Sequence, residues 1–404
     1  MSRRIFSKFS PILLLPVIIF AGCETAPTRP PVPITGDPVV DGNAQLAVAP
    51  AKDRALWEYR IAAAALRRGQ LDEAKAKLDD ALAVSASNYG QVNSEAAKSR
   101  RMFRNESDKP FIGEPYERVL ASYYRGVLYW REGEPDNARA LFRSGELFDS
   151  DTEDKTYSGD YVLLDYLDGL VSVKLGGDGA DALKRARANA KQQGHATPPA
   201  YNPKANVMLF AEYGEGPRKY SGGEYGELLK FYTRQSKIRS ARMEVDGQRT
   251  VALPPYDDLN FQATTRGGRL MDHVLGNKAV FKQTTDTVGD VALVGAMAAA
   301  DHGGRDADRA AIGLAAVGLI SKIASAATTP QADIRSWENI PQYLSFAALQ
   351  LEPGDHTATL EFLDANGQAA PQLTQHFTIS VPAADSTIGP RAPDVVIFCS
   401  ELKN

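Results

Sequence analysis

The chain has 404 residues, enough for two or three domains that each bury a core. It is 43% hydrophobic and 24% charged with a formal net charge of −4, a balance that sets it against nucleic-acid binding, which needs a basic face. Its two cysteines, Cys23 and Cys399, leave no intramolecular disulfide if either one is modified.

Residues 1–22 read as a secretory signal: Arg3, Arg4 and Lys8, then an apolar core from Ile12 to Phe20 too short to span a bilayer, then small residues. The following "FAGC" resembles a bacterial lipobox, with Phe20 where Leu is usual, which makes Cys23 the lipid-attachment residue, palmitate included. Glu24 in the next position resembles the outer-membrane class of such lipoproteins, in which Asp would favour inner-membrane retention. Removal of residues 1–22 leaves 43 basic against 50 acidic side chains, a net charge of −7. Residues 23–50, with six prolines after Cys23 and few large apolar side chains, read as an extended tether.

Residues 51–195 have helical periodicity and recurring helix pairs. The first pair turns at Gly69, with Ala74, Leu78 and Ala81 after it. The second has Gly126 and Tyr129, a turn at Gly133, then Ala138, Phe142 and Gly145; the third turns at Gly176 and Gly177. In this pattern small residues let two helices approach and a large one fills the space between them. Tyr116, Tyr123, Tyr124, Tyr129 and Trp130 are more aromatics than one buried stripe holds, so one of the adjacent pair Tyr123 and Tyr124 is expected at the surface.

Residues 200–285 shift to short apolar runs bounded by Gly and Pro, a β-containing segment. "NVMLFAEYG" reads as a strand, and "SARMEVDGQRTVALP" as a hairpin turning at Asp246 and Gly247. "GEGPRKYSGGEYG", Gly214 to Gly226, offers glycine amides with Arg218 and Lys219, yet lacks the Gly-Lys-Ser/Thr ending of a phosphate loop, and Pro217 removes a donor. A loop packed under the sheet, or a partner surface, is the reading it supports. Asp257 and Asp258 read as turn caps. Arg266 and Arg269 fit either an anion site or ion pairs.

Residues 286–329 read as a Gly/Ala-rich helical hairpin. "AAIGLAAVGLISKIASAA", Ala310 to Ala327, separates on a helix into a small, weakly polar face with Lys322 and an opposite face with Ile312, Leu319, Ile320 and Ile323, so it is amphipathic and not a bilayer span. Contact of this hairpin with membrane is the competing reading. Residues 330–404 alternate as a β-sandwich-like segment, "HTATLEFL" and "HFTISV" with turns at "EPGD" and "DANG". Cys399, in "DVVIFCS", reads as a buried small apolar residue. In "DIRSWENIP", Trp337 is either an exposed hot spot or a buried pin beside an Asp333–Arg335 ion pair.

Three stretches together, "GEPYERVLASYYRGVLYWREGEPDNAR", "EYGEGPRK" and "ADIRSWENIPQYLSFAALQLEPGDH", resemble a family of uncharacterised bacterial tetratricopeptide-like outer-membrane lipoproteins. The carrying positions are Gly214, Gly216, Pro217 and Lys219, then Ala332, Asp333, Arg335, Trp337 and Pro341, with Ile340 in place of Leu; the resemblance spans roughly residues 110–360. It implies a location and an architecture and brings no catalytic residues.

The five histidines are scattered singly, and no G-x-S-x-G or H-E-x-x-H motif occurs, so no metal, cofactor or catalysis is expected. The expected fold is α+β: an irregular tetratricopeptide-like helical array, then a β-rich sandwich-like domain with an inserted Gly/Ala-rich helical hairpin. The expected function is a lipid-anchored, non-catalytic protein-binding or scaffold module facing the periplasm from the outer membrane. Its partners would be the membrane through the N-terminal lipid and an envelope protein, with no nucleic acid. Tyr123, Tyr124, Trp130, Trp337 and Arg335 are the candidate partner-binding residues. The alternatives are a subunit of a membrane-associated secretion or transport assembly, a homo-oligomer through the Gly/Ala-rich hairpin, and an envelope hydrolase.

Overall fold

The computed structural model describes residues 34–89, 109–150, 157–224, 228–265, 332–383 and 392–402. The signal segment, Cys23, Arg266, Arg269, His273, His302 and the Gly/Ala-rich hairpin at 286–329 lie outside the described residues. Among the described residues, no helix is long and apolar enough to cross a membrane. The protein is a mixed α+β structure.

Among the described residues the α-helices that come first are α1 (Pro38–Val48), α2 (Arg54–Arg67), α3 (Leu71–Tyr89), α4 (Pro115–Arg131), α5 (Pro135–Asp149), α6 (Val162–Lys174) and α7 (Ala180–Gln193). α2 packs on α3, α4 on α5 and α6 on α7, each pair joined by a short turn. The expected close approach holds in the middle pair. A Cβ built on Gly126 of α4 would lie 2.5 Å from Phe142 Cε1 of α5, so the aromatic ring occupies the space the glycine leaves. Gly133 closes that turn at φ 80°, a left-handed conformation that suits glycine.

The tether reading of residues 23–50 is corrected at its C-terminal end, because α1 is folded and packs on α2. Asp37 caps it, its carboxylate accepting from Val39 N at 2.9 Å and Val40 N at 3.2 Å. Pro38 stands at the start of the helix, where its missing N–H costs nothing. Val39, Gly42 and Leu46, at offsets of three and four, form the buried stripe. A proline taken as a sign of extended chain is a helix start.

The strands are β1 (Val207–Glu215), β2 (Arg218–Gly222), β3 (Leu228–Tyr232), β4 (Ile238–Val245), β5 (Arg249–Leu253), β6 (Asp257–Asp258), β7 (Pro341–Leu349), β8 (Gly354–Asp364), β9 (Gln375–Val381) and β10 (Val395–Ser400), with a short helix α8 (Leu259–Thr264) after β6. They form a first sheet in the order β10-β1-β7-β6, a second in the order β5-β4-β8-β9, and a separate β2-β3 ribbon. The β4-β5 hairpin turns at Asp246 (φ 53°) and Gly247 (φ 65°), as their sequence predicts. The segments read as 200–285 and 330–404 are interleaved: β1 lies between β10, to which it is parallel, and β7, to which it is antiparallel, while β4 pairs with β8.

The first sheet is the middle layer, and residue parity divides its two faces. Met208 and Phe210 of β1, Leu344 and Phe346 of β7 and Val396 of β10 join the helical core. Val207, Leu209, Ala211 and Tyr213 of β1, with Cys399 of β10, pack against Met243, Leu360, Phe362 and Ile379 of the second sheet. This explains why β1 is a nearly continuous apolar run: both its faces are covered. Cys399 is a buried apolar residue as expected, and burial pushes its thiol up to about 12.

Candidate functional site: the polar seam between helices and sheet

The charged and aromatic residues that stand out in the sequence meet where α2, α4 and α6 lie on the first sheet. Glu212, the polar inward residue at the end of β1, faces the helices. Arg67 of α2 donates from Nε to Glu212 Oε1 at 2.6 Å and from Nη1 to Asn339 O at 2.8 Å. Both side chains are almost completely buried. Ser400 Oγ donates to the same carboxylate at 2.7 Å, and Tyr124 of α4 donates its hydroxyl to Glu212 Oε2. Burial, with the Glu212 charge added, raises the Tyr124 phenol well above its ordinary pKa, which keeps it a donor.

A second knot joins the three stretches that carry the family resemblance. Lys219 of β2 donates to Glu117 Oε2 of α4 at 2.6 Å and to Arg335 O at 3.0 Å. Glu117 accepts in addition from Trp337 N at 2.8 Å and from Glu114 N at 2.7 Å. The Lys219 and Glu117 side chains are 1% and 0% exposed. Arg335 binds Asp333 at 2.6 Å and Asp53 at 2.7 Å and also donates to the Lys52 and Lys109 carbonyls. Burial alone would raise the Asp333 carboxyl, but the Arg335 hydrogen bond and charge outweigh it and hold the pKa below the usual value. Trp337 stacks on Tyr59 at 4.8 Å and meets the Tyr124 ring edge-on at 6.0 Å.

A third contact fixes β10. Trp130 Nε1 donates to Asp394 Oδ2 at 2.9 Å, Lys174 pairs with Asp394 Oδ1 at 2.9 Å, and Arg131 donates to Val396 O at 3.0 Å. Asp257 does not cap its own turn as expected: it lies in β6 and accepts from Val162 N at 2.7 Å and Leu163 N at 3.0 Å at the start of α6, which is distant in sequence. Burial pushes the Asp257 carboxyl up to about 8 despite those donors, with the charges of Asp160 and Asp149 adding to the rise. Asp258 caps α8, accepting from Asn260 N at 2.8 Å. Between α5, α6 and α7, burial and the neighbouring Asp165 push the Glu146 carboxyl up to about 8.

The assignment of Tyr123, Tyr124, Trp130, Trp337 and Arg335 as a partner surface is corrected by this geometry. Tyr123, Tyr124, Trp130 and Trp337 are each 1% exposed or less. Arg335 keeps 15% of its side chain exposed, bound to Asp333 and Asp53. Of the two readings for Trp337, the structure shows the buried pin beside the Asp333–Arg335 pair. Neither Tyr123 nor Tyr124 reaches the surface: Tyr123 faces Phe142 and Phe210, and Tyr124 faces Trp337 and Phe398. The aromatic count of α4 is accommodated because neighbouring helices cover one side of the helix and the sheet the other. Arg67, Glu117, Glu212 and Asp394 escape sequence reasoning, since charged residues in amphipathic helices and at strand ends ordinarily face water.

The amides of Gly214, Glu215 and Gly216 are taken by the chain itself. Gly214 N donates to Glu401 at 2.6 Å, Glu215 N to Ser236 at 3.0 Å and Gly216 N to Ile340 O at 3.0 Å. The three described histidines hold hydrogen bonds within the protein: His195 with Tyr256 O, His356 with Asp246 and Glu352 O, and His376 with Thr359. Among the described residues no group of three or more His, Cys, Asp or Glu side chains is placed to hold a metal ion.

One cluster of exposed aromatic and basic side chains among the described residues is the outer face of the β2-β3 ribbon. Strand alternation turns Lys219 inward and its neighbours Arg218 and Tyr220 outward. Across the ribbon Arg218 pairs with Tyr232, Tyr220 with Lys230, and Gly222 with Leu228. Tyr220, Leu228 and Tyr232 are 46%, 45% and 54% exposed. The face is thus aromatic and basic in a chain that is acidic overall. In comparison with known proteins, the chain matches no family model, no curated protein and no solved structure.

Proposed function

We propose that the protein is a non-catalytic scaffold, anchored by a lipid on Cys23 to the outer membrane and facing the periplasm, that binds an envelope protein through the β2-β3 ribbon. The anchor rests on the signal architecture before Cys23 and on Glu24 after it. α2–α3, α4–α5 and α6–α7 are read as an irregular tetratricopeptide-like array. The first helix of each pair lies on the chain's own sheet, so the groove such arrays usually offer to a peptide is filled from within.

One observation carries the partner-binding role: Tyr220, Leu228 and Tyr232 stand exposed between Arg218 and Lys230 on one face. Tyrosine with arginine is the composition of interface hot spots, and the net negative charge of the chain makes a local basic face a selective one. The test is a photo-crosslinking residue placed at Tyr220 or Tyr232 in cells. A single discrete adduct, absent when the probe stands at Thr378 of β9, supports the reading. A ladder of self-adducts supports the oligomeric-subunit alternative, and turnover of peptidoglycan or polysaccharide by the purified chain overturns the non-catalytic role.

A further inference from the structure

α1 carries two apolar stripes, and the described residues cover one of them. Val39, Gly42 and Leu46 face α2, so closely that a Cβ on Gly42 would lie 2.6 Å from Ile61 Cγ1. Val40, Ala44, Ala47 and Val48, at offsets of four, three and one, form the opposite face. Val40 is 51% exposed and Val48 40%, and Ile34, just ahead of the helix, is 85% exposed. A helix that is apolar on both sides ordinarily has something on both sides.

The outward stripe bears no charge. Asp41 is the one charged residue in α1, and its carboxylate is turned back to accept from Thr35 N at 2.7 Å and Gly36 N at 2.9 Å. The Asp37 carboxylate is held by the helix start and by Arg68 at 2.8 Å. The four side chains of the stripe are themselves uncharged, and both neighbouring carboxylates have their hydrogen-bond partners within the protein.

Position in the chain names the phase. Only eleven residues, 24–34, separate Cys23 from Thr35, where the hydrogen bonds to Asp41 begin. Fully extended they reach at most about 40 Å, half of what a tether running to residue 50 would allow. Among the described residues, α1 is the first element after the proposed lipid.

We propose that in the anchored protein α1 lies on the bilayer surface, with Val40, Ala44, Ala47 and Val48 seated in the interfacial region. This is the geometry of a short interfacial helix reinforced by a covalent lipid, in which weak apolar contact and acyl insertion act together. It rests on the lipid-anchor reading of Cys23. It adds an orientation: the α1 side of the helical layer faces the lipid.

The test uses the full-length lipidated chain reconstituted in vesicles of phosphatidylethanolamine and phosphatidylglycerol. An Ala47→Cys variant carries an environment-sensitive fluorophore, and Thr378→Cys on β9 is the control. With the Cys23 thiol acylated and Cys399 buried, the introduced cysteine is the one that reacts. The proposal expects blue-shifted emission at position 47, quenched by spin-labelled lipid, with neither effect at 378. Adding Val40→Asp and Val48→Asp should abolish the quenching while the chain still floats with the vesicles. A chain that floats but leaves the probe at 47 as wet as that at 378 overturns the proposal and spares the anchor. A blue shift without quenching by lipid, with excimer formation between pyrene-labelled copies, assigns the stripe to a second chain and overturns it too. A chain that does not float, with Cys23 unmodified by mass, removes the anchor reading itself.

Discussion

Lys219→Met is the substitution that most directly tests how the helices are held to the strands. Lys219 and Glu117 pair at 2.6 Å with side chains 1% and 0% exposed, so the variant leaves a carboxylate buried without its counter-ion. Breaking a buried pair from one side costs about 3–5 kcal/mol. Glu117 retains two backbone donors, Trp337 N and Glu114 N, which places the loss near the lower bound, about 3 kcal/mol. Adding Glu117→Gln removes the stranded charge and keeps an oxygen for one of those donors, so the double variant should be more stable than Lys219→Met alone. Urea unfolding followed by tryptophan fluorescence reads the difference, because Trp337 lies in the same knot. A loss below about 1 kcal/mol for Lys219→Met, or a double variant as unstable as the sum of the single ones, would refute the reasoning.

Asp257→Asn tests the buried cap of α6. An acid with a folded pKa of about 8 against an ordinary 3.8 binds its proton more tightly when folded, so its contribution is full below about pH 4 and is lost as pH rises through about 8. The variant should flatten that decline between pH 5 and 8 in thermal melts, leaving the same-signed slope from Glu146, which Glu146→Gln then removes. Gly126→Leu should destabilise by about 1–3 kcal/mol through overpacking against Phe142, an effect a denaturant titration resolves. Asp37→Ala removes the cap of α1 at a cost of about 0.5–2 kcal/mol, and hydrogen exchange should quicken at Val39 through Leu46 while the β1 amides keep their protection.

Local features were legible in the sequence because local chemistry decides them. Asp246-Gly247 makes its turn, Gly126 meets Phe142 across the next turn, and Asp258 caps the helix it precedes, each an outcome of residue type and near neighbours. What could not be read depends on distant chain. Lys219 finds Glu117 from 102 residues away, and β10 runs parallel to β1 across nearly the whole second half of the protein. The aromatics of α4 read as surplus to one buried stripe because a single sequence shows one helix and not the two layers that cover it. α1 was hidden by composition, since prolines counted over residues 23–50 do not say that Pro38 stands at a helix start.

These misreadings share a cause, and it bears on where a partner can bind. Aromatic and charged residues gathered in helices suggest an open groove only if the groove is empty. Here α2, α4 and α6 are covered by the chain's own strands, and the contacts are specific: Arg67 on Glu212 of the first sheet, Glu117 on Lys219 of the β2-β3 ribbon, Trp130 on Asp394 just ahead of β10. A foreign peptide entering that space would have to displace three buried polar contacts at once, each expensive to break from one side. The proposed partner surface is accordingly placed on a face the seam does not use. The β2-β3 ribbon is such a face because alternation lets one strand do two things: Lys219 ties the ribbon down, and Arg218 and Tyr220 on either side of it point to solvent. A rigid attachment beneath and an aromatic, basic face above is what a docking surface requires, since little ordering entropy is then lost on binding.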